Sequence, residues 1–311
     1  MSRAIRDAGG AGSNPVTQAT SIFLNLKLPL ALDAAALALS FLAGVAAAQT
    51  PPGAEPQAGQ RGKDVMWMAT ADALVARMLD LAAVNAKDYV IDLGSGDGVM
   101  VIAAAKRGAR AHGIEYDQAL FELSKREAVA AGVAARTSFA HGDIFDADLS
   151  AASVITAYLS ESVNRRLRPK LLALKPGTRI VTNSFSFGDW QADDSATAIS
   201  LKGLLAPFID HPKDHCFLVC TAYLWIVPAK VEGRWRVSGG VLELHQSFQM
   251  LSGTLTLEGR SMPVTKGRLR GAAVSFSAGD TDYVGAAGPG RIEGSARRSG
   301  VTTPWSAAFE R

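Results

Sequence analysis

The chain has 311 residues, 48% of them hydrophobic and 20% charged, with 30 glycines and 13 prolines. That composition excludes a disordered charged tail and a collagen-like repeat, and it leaves enough apolar material for a large core. A net charge of +3 excludes a polybasic surface over the whole chain, and two cysteines fit neither a disulfide scaffold nor a zinc pattern. At about 150 residues per domain the length suggests two domains. The charge divides as +1, −2 and +4 over residues 1–48, 49–229 and 230–311. A near-neutral middle suits a small-molecule site, and the mildly basic end reads as a solvated β surface.

The first 48 residues read as an address. Ala34–Val45 is an uncharged apolar run of 12, preceded by Arg3, Arg6 and Lys27 and followed by the small residues Ala46–Ala48. That order is the one found in a secretory signal peptide. The alternative is a membrane anchor over Leu28–Ala48, 21 residues and long enough to span, with Asp33 costing up to about 3 kcal/mol at mid-bilayer. Either reading places the protein outside the cytoplasm or on a membrane; a cytoplasmic Ala-rich helix is the remaining option. Residues 49–62, rich in Pro, Gly and Gln, read as a linker.

From Asp72 apolar residues recur at helical spacing, and Asp88–Leu93 is a short apolar run ending in glycines, as in a buried parallel strand. Val99–Arg107 reads as helix, Ala111–Tyr116 as strand and Gln118–Ala131 as helix, closed by Gly132. Thr137–Ala140, Val154–Leu159 and Thr178–Phe185 follow as strands, with a helix over Asn164–Leu174 that stops before Pro176-Gly177. This alternation predicts a mostly parallel sheet covered on both faces, with ligands at the carboxyl ends of its strands. Phe217–Val227 is expected to complete it. Cys216 and Cys220 lie in that run, about 13 Å apart if it is one continuous strand, too far to bridge, and read as two small buried hydrophobes.

The sharpest signal is Asp92-Leu93-Gly94-Ser95-Gly96-Asp97-Gly98 between the first strand and its helix. Glycines there allow a tight turn and close approach of a ligand. Glu115 follows 21 residues after Gly94, where a carboxylate can accept two hydrogen bonds from ribose hydroxyls. A dinucleotide fingerprint needs a glycine at position 99, which is Val. A ligand without a diphosphate fits better, with Asp92 placed to hold an ammonium directly or through water.

The run YVIDLGSGDG…HGIEYD resembles motif I and the acidic strand end of class I S-adenosylmethionine-dependent methyltransferases. The resemblance implies a Rossmann-like α/β methyltransferase domain with a mostly parallel seven-stranded sheet and S-adenosylmethionine as cofactor. It implies cofactor contacts from Asp92, Gly94, Ser95, Gly96, Gly98, Glu115 and Tyr116, with Asp143 at the adenine amino group; capping of a turn is the other role for Asp143. DVMWMATADALVARML and RLRPKLLALKPGTRIV…SFSFGDW are similar to the family of ATP-synthase c-subunit and adenine-nucleotide-translocase lysine methyltransferases, over roughly Asp64–Trp190. That resemblance implies a protein-lysine acceptor, membrane-associated as in that family, and adds Thr70 as a cofactor-side residue and Tyr158 at the fourth strand end. The chain departs from the family at Ser160-Glu161, where Pro is usual, and at Asn183-Ser184, where bacterial relatives have His-Asp. A small-molecule acceptor and an exported, non-catalytic binding protein are therefore the alternatives.

Methyl transfer is an in-line displacement, so positioning dominates, and a lysine must first lose its proton. Tyr158 is a candidate to orient the amine, Phe185 and Trp190 to wall the slot, and Glu161 and Asp189 to act as base. Arg165, Arg166, Arg168 and Lys170 read as a solvated helix surface. No metal and no nucleic acid are expected as partners.

After Pro228 the helical period gives way to eight short alternating segments divided by Gly-rich turns, which predicts a small antiparallel all-β domain, a meander closing into a barrel or sandwich. The expected organisation is leader 1–48, linker 49–62, methyltransferase domain 63–229 and β domain 230–311. The β domain is expected to bind or present the acceptor.

Overall fold

Apolar runs too short for a helix and flanked by glycines become central strands here, because only a doubly covered sheet buries both of their faces. The computed structural model describes residues 67–200 and 218–310. The leader and linker lie outside these residues, as does Cys216. The first part runs α1 (Asp72–Leu81), β1 (Tyr89–Leu93), α2 (Val99–Lys106), β2 (Arg110–Glu115), α3 (Gln118–Ala130), β3 (Thr137–His141), β4 (Val154–Ala157), α4 (Glu161–Leu172), β5 (Arg179–Asn183), β6 (Asp194–Ser200) and β7 (Leu218–Ile226). The sheet order is β3-β2-β1-β4-β5-β7-β6. Strands β1 to β5 are parallel, while β7 runs antiparallel to both of its neighbours. The mostly parallel seven-stranded sheet is thus present, with β6 as a strand that sequence periodicity did not reveal.

The sheet core is apolar: Val90, Val154, Ile155, Ile180 and Val181 are fully buried. Helix α3 begins where the Asp117 side chain accepts from the N–H groups of Ala119 and Leu120, and α4 where Ser160 accepts from Val163. Cys220 is disulfide-bonded, a correction to its reading as a free buried hydrophobe. The described part of β7 begins at Leu218, so the Cys216 end of the expected separation lies outside the described residues.

The second part is an eight-stranded antiparallel meander: β8 (Gly233–Val237), β9 (Gly240–Ser247), β10 (Met250–Leu257), β11 (Arg260–Arg270), β12 (Ala273–Ala278), β13 (Thr281–Gly288), β14 (Arg291–Arg298) and β15 (Val301–Phe309). Pairing of β15 with β8 closes it into a barrel. Each strand corresponds to one of the eight alternating segments. Trp235, Leu242, Leu244, Leu269 and Ile292 fill the interior.

Sheet and barrel belong to one compact unit. The barrel sits at the end of the sheet where β5 starts and β7 stops. There Ala229 N–H donates to the Gly271 carbonyl, and Gly177 N–H donates to that of Val227. The buried Trp190 indole donates to Gln249 Oε1 at 3.0 Å and stacks on Phe248, while Arg268 pairs with the fully buried carboxylate of Asp193 at 2.7 Å. Gly271 has φ +62°, and a Cβ on it would lie 3.0 Å from Gly177 Cα. Gly271→Ala is therefore expected to destabilise the protein by about 1–2 kcal/mol, read as a lower Tm. An unchanged Tm would mean that alanine adopts the Gly271 conformation here without strain.

Candidate functional site

Parallel topology sends the loops after β1, β2, β3 and β4 to one end of the sheet, and there they surround a cleft of about 410 Å³. The turn after β1 is tight because Gly94, Gly96 and Gly98 take φ values of +72°, +55° and +83°, which side-chain-bearing residues rarely adopt. Gly94 and Gly96 border the cleft. Gly98 instead caps α2, and a Cβ there would meet Ser124 and Phe139, so this third glycine serves helix packing and not the cleft wall.

Glu115, buried at the end of β2, holds the turn from behind. Its carboxylate accepts from Gly96 N–H at 2.8 Å through one oxygen and from Asp117 N–H at 2.8 Å through the other. Asp92 accepts from the Thr156 hydroxyl at 2.7 Å. Burial, reinforced by the negative charges of Glu115 and Asp97, pushes Asp92 up to about 7 against the opposing pull of the Thr156 hydrogen bond. An acid held in that state favours a cation brought beside it. Asp92, Asp97, Glu115, Asp117 and Asp143 all border the cleft, together with Thr70, Ser95 and Tyr116. Asp143 also accepts from Phe145 N–H at 2.8 Å, so it caps its turn and faces the cleft at once.

Sequence reasoning missed three contributors. Trp67, in the segment before α1, lies over the glycine turn: a Cβ on Gly96 would come within 2.4 Å of the indole nitrogen. Arg166, expected on a solvated face, borders the cleft with its guanidinium 4.2 Å from the Phe145 ring centroid. Gly113, inside β2, leaves room for Ser95, whose Oγ would be 2.6 Å from a Cβ there. Its position two residues before Glu115 carried the signal.

The acceptor-side candidates separate. Tyr158 borders the cleft, with burial pushing its hydroxyl above the ordinary tyrosine range, and its ring stacks on Phe185 at 6.3 Å. Asn164, fully buried on α4, donates to the carbonyls of Phe185 and Ser186 and so fixes that loop. Glu161 is exposed at the start of α4 and accepts from the Ser186 hydroxyl at 3.4 Å. Asp189 and Trp190 lie elsewhere. The loop from β5 to β6 crosses the sheet from the carboxyl end of one strand to the amino end of the next, which carries Trp190 into the barrel junction. Asp189 pairs there with Arg168, which holds its carboxyl below the usual range. Neither residue borders the cleft.

These residues fit S-adenosylmethionine. Five carboxylates around one cleft suit a ligand carrying ammonium and sulfonium charges, and the volume lies in the range of cofactor sites. Ser95 Oγ, buried at the cleft wall, has no hydrogen-bond partner among the described residues. Fold and site together define an S-adenosylmethionine-dependent methyltransferase.

Comparison with known proteins narrows the class. Residues 92–194 match the family described as the ANTKMT methyltransferase domain. The chain is 40% identical over 134 residues to a protein-lysine N-methyltransferase of Saccharolobus islandicus, a match covering 40% of this chain and 80% of that protein. It is 34% identical over 116 residues to the ATP-synthase c-subunit lysine N-methyltransferase of Caenorhabditis elegans, covering 36% of this chain and 61% of that one. Against the mouse adenine nucleotide translocase lysine N-methyltransferase it is 36% identical over 104 residues, covering 33% of this chain and 45% of that one. The match thus spans less than two thirds of the worm and mouse proteins. A Salinibacter ruber structure described as an RNA methyltransferase in complex with S-adenosyl-L-homocysteine has 40% identity, covers 53% of this chain and 96% of that chain, and has a TM-score of 0.45. The chain belongs to the family that contains the Saccharolobus enzyme.

Proposed function

We propose that the protein methylates a lysine amine of a protein acceptor. The observation that carries this reading is Tyr158, which borders the cleft after β4 with its ring stacked on Phe185 from the loop after β5. Glu161, exposed beside Ser186 in the loop that carries Phe185, attracts a cationic side chain to this face. The aromatic faces then strip water from it, which lowers the pKa of the amine, so that its proton passes to solvent and its lone pair is free. Tyr158, a neutral phenol whose pKa burial raises still further above the ordinary range, accepts a hydrogen bond from the amine and orients it, and does not serve as base. The bound cofactor supplies a methyl group on a sulfonium, a leaving group that needs no protonation. Asp92, Glu115 and the glycine turn hold that end of the cleft in place.

The S. islandicus and C. elegans relatives, named for lysine N-methylation, support the same acceptor class. The departures at Ser160-Glu161 and Asn183-Ser184 favour a small-molecule amine as the second reading. Incubating the purified chain and labelled S-adenosylmethionine with membrane and soluble fractions is expected to label a protein band that yields methyl-lysine on hydrolysis. Label found only in small molecules would select the second reading. The leader and the bonded Cys220 support a chain exported to an oxidising compartment or anchored at its membrane. Cell fractionation tests that, and a wholly cytoplasmic chain of full length would overturn it.

A further inference from the structure

The barrel contains a second cavity, of about 200 Å³, unconnected with the methyltransferase cleft. In an antiparallel meander alternate turns lie at opposite ends. The turns after β9 and β11 carry Gln249 and Gly271 and are docked on the sheet. The cavity lies at the other end, where the turns after β8, β10, β12 and β14 are. Its entrance follows from strand lengths: β15 pairs with β8 over Ala307–Phe309, while its earlier residues run on beyond the end of β8 at Val237. Ser238, Pro304 and Ser306 form an exposed rim there. Pro304 has no N–H to offer a further strand, so this edge resists strand addition.

Below the rim the walls are apolar. Leu242 and Leu255 are buried, and Ala296 contributes only a methyl group where a larger side chain would fill the space. One side is a fixed aromatic cluster. Phe276 and Tyr283, cross-strand partners on β12 and β13, stack at 4.7 Å and 9°, and Trp305 meets both edge-on at 5.7 and 5.4 Å. The indole N–H of Trp305 donates to the Val284 carbonyl, which holds the ring in position. Among the described residues no charged side chain lines the cavity, and the hydroxyl-bearing lining residues are Tyr283, Ser238 and Ser306.

We propose that this barrel end is a binding site for a small neutral aromatic molecule or group of one ring or two fused rings. The size sets the class, since an apolar cavity of about 150 Å³ accepts benzene. The aromatic cluster favours a ring over an aliphatic chain because aromatic pairs gain stacking or edge-to-face energy beyond the area they bury. The absence of charge in the described lining selects against ions.

The test uses the full chain, with indole as probe and 1-hexanol as aliphatic comparison, followed by methyl and aromatic NMR signals. Indole is expected to shift the Ala296 and Tyr283 signals saturably, with a dissociation constant on the order of 1 mM or below, as befits so small a ligand. Hexanol should bind at least threefold more weakly, and S-adenosylmethionine binding should be unaffected by either. Ala296→Leu fills the cavity and should weaken indole at least tenfold. Leu257→Phe, nearer the mouth, is a second block should the first variant fold poorly. Wild-type protein showing no saturable shift at these residues would overturn the proposal, as would binding that both variants leave unchanged. Hexanol binding as tightly as indole would overturn the aromatic class.

Discussion

Glu115→Ala is expected to weaken S-adenosylmethionine binding about 100-fold in calorimetry, whatever the acceptor proves to be. The carboxylate makes charge-assisted hydrogen bonds to two backbone N–H groups, one in the glycine turn and one at the start of α3. Each such bond is worth about 1.5–3 kcal/mol in a buried setting. Removal therefore loosens the turn and also deletes an acceptor for ligand hydroxyls, since each carboxylate oxygen keeps a second lone pair. About 2.7 kcal/mol corresponds to the 100-fold change. Glu115→Gln keeps the volume but sets an amide NH2 against a backbone N–H, so it should rescue little. A dissociation constant unchanged in both variants would show that the cofactor sits elsewhere.

Asp92→Asn should have opposite effects on stability and on binding. The native carboxyl titrates near 7 against an ordinary 3.8, so between those values the folded chain holds a proton that the unfolded chain has released. Stability then falls as pH rises through that window, and the loss is complete above 7. The shift corresponds to something on the order of 4 kcal/mol. Asparagine cannot ionise and still accepts from Thr156, so the variant should match wild type below pH 4 and exceed it by a few kcal/mol at pH 8. Urea unfolding at both pH values reads this directly. Cofactor affinity should fall at least tenfold, because the neutral amide no longer attracts an ammonium. Equal stability of the two proteins at pH 8 would show that Asp92 ionises without penalty. In wild type, binding a cation beside this acid should release a proton near pH 6, visible as buffer-dependent binding heat.

The barrel also changes what a truncation would mean. Cutting the chain near residue 229 would expose Trp190 and the buried carboxylate of Asp193, both of which are covered by barrel residues. Lost activity in such a fragment would then report a damaged sheet rather than a missing acceptor platform. Point substitutions on the barrel surface separate the two roles.

Several features were legible because their causes are local. The turn from Asp92 to Gly98 demands positive φ at three glycines, and any sequence meeting that demand between a strand and a helix announces it. The eight barrel strands were readable because a half-buried strand alternates every second residue. Strand β6 was not readable. Its sequence, DSATAIS, carries little apolar signal, and its place is set by pairing along β7. Arg166 escaped notice because a helix face looks solvated until its neighbours are known, and here Phe145 from the loop after β3 covers it. Trp190 misled for the converse reason. Its closeness in sequence to the end of β5 suggested the cleft, whereas the crossing loop buries it at the opposite end of the sheet.

By itself, the sequence determined the class of this protein: a parallel sheet with a glycine turn, an acid before it and an acid after it, and a separate β meander. Those features depend on backbone conformation and side-chain alternation over a few residues, which a string of amino acids records. Only the tertiary structure decided which carboxylates share the cleft, that Gly98 packs a helix, that Trp190 belongs to the barrel junction, and that the barrel keeps a cavity at its free end. Each of these depends on distances between segments far apart in the chain, fixed by how the sheet and barrel bury their apolar faces together.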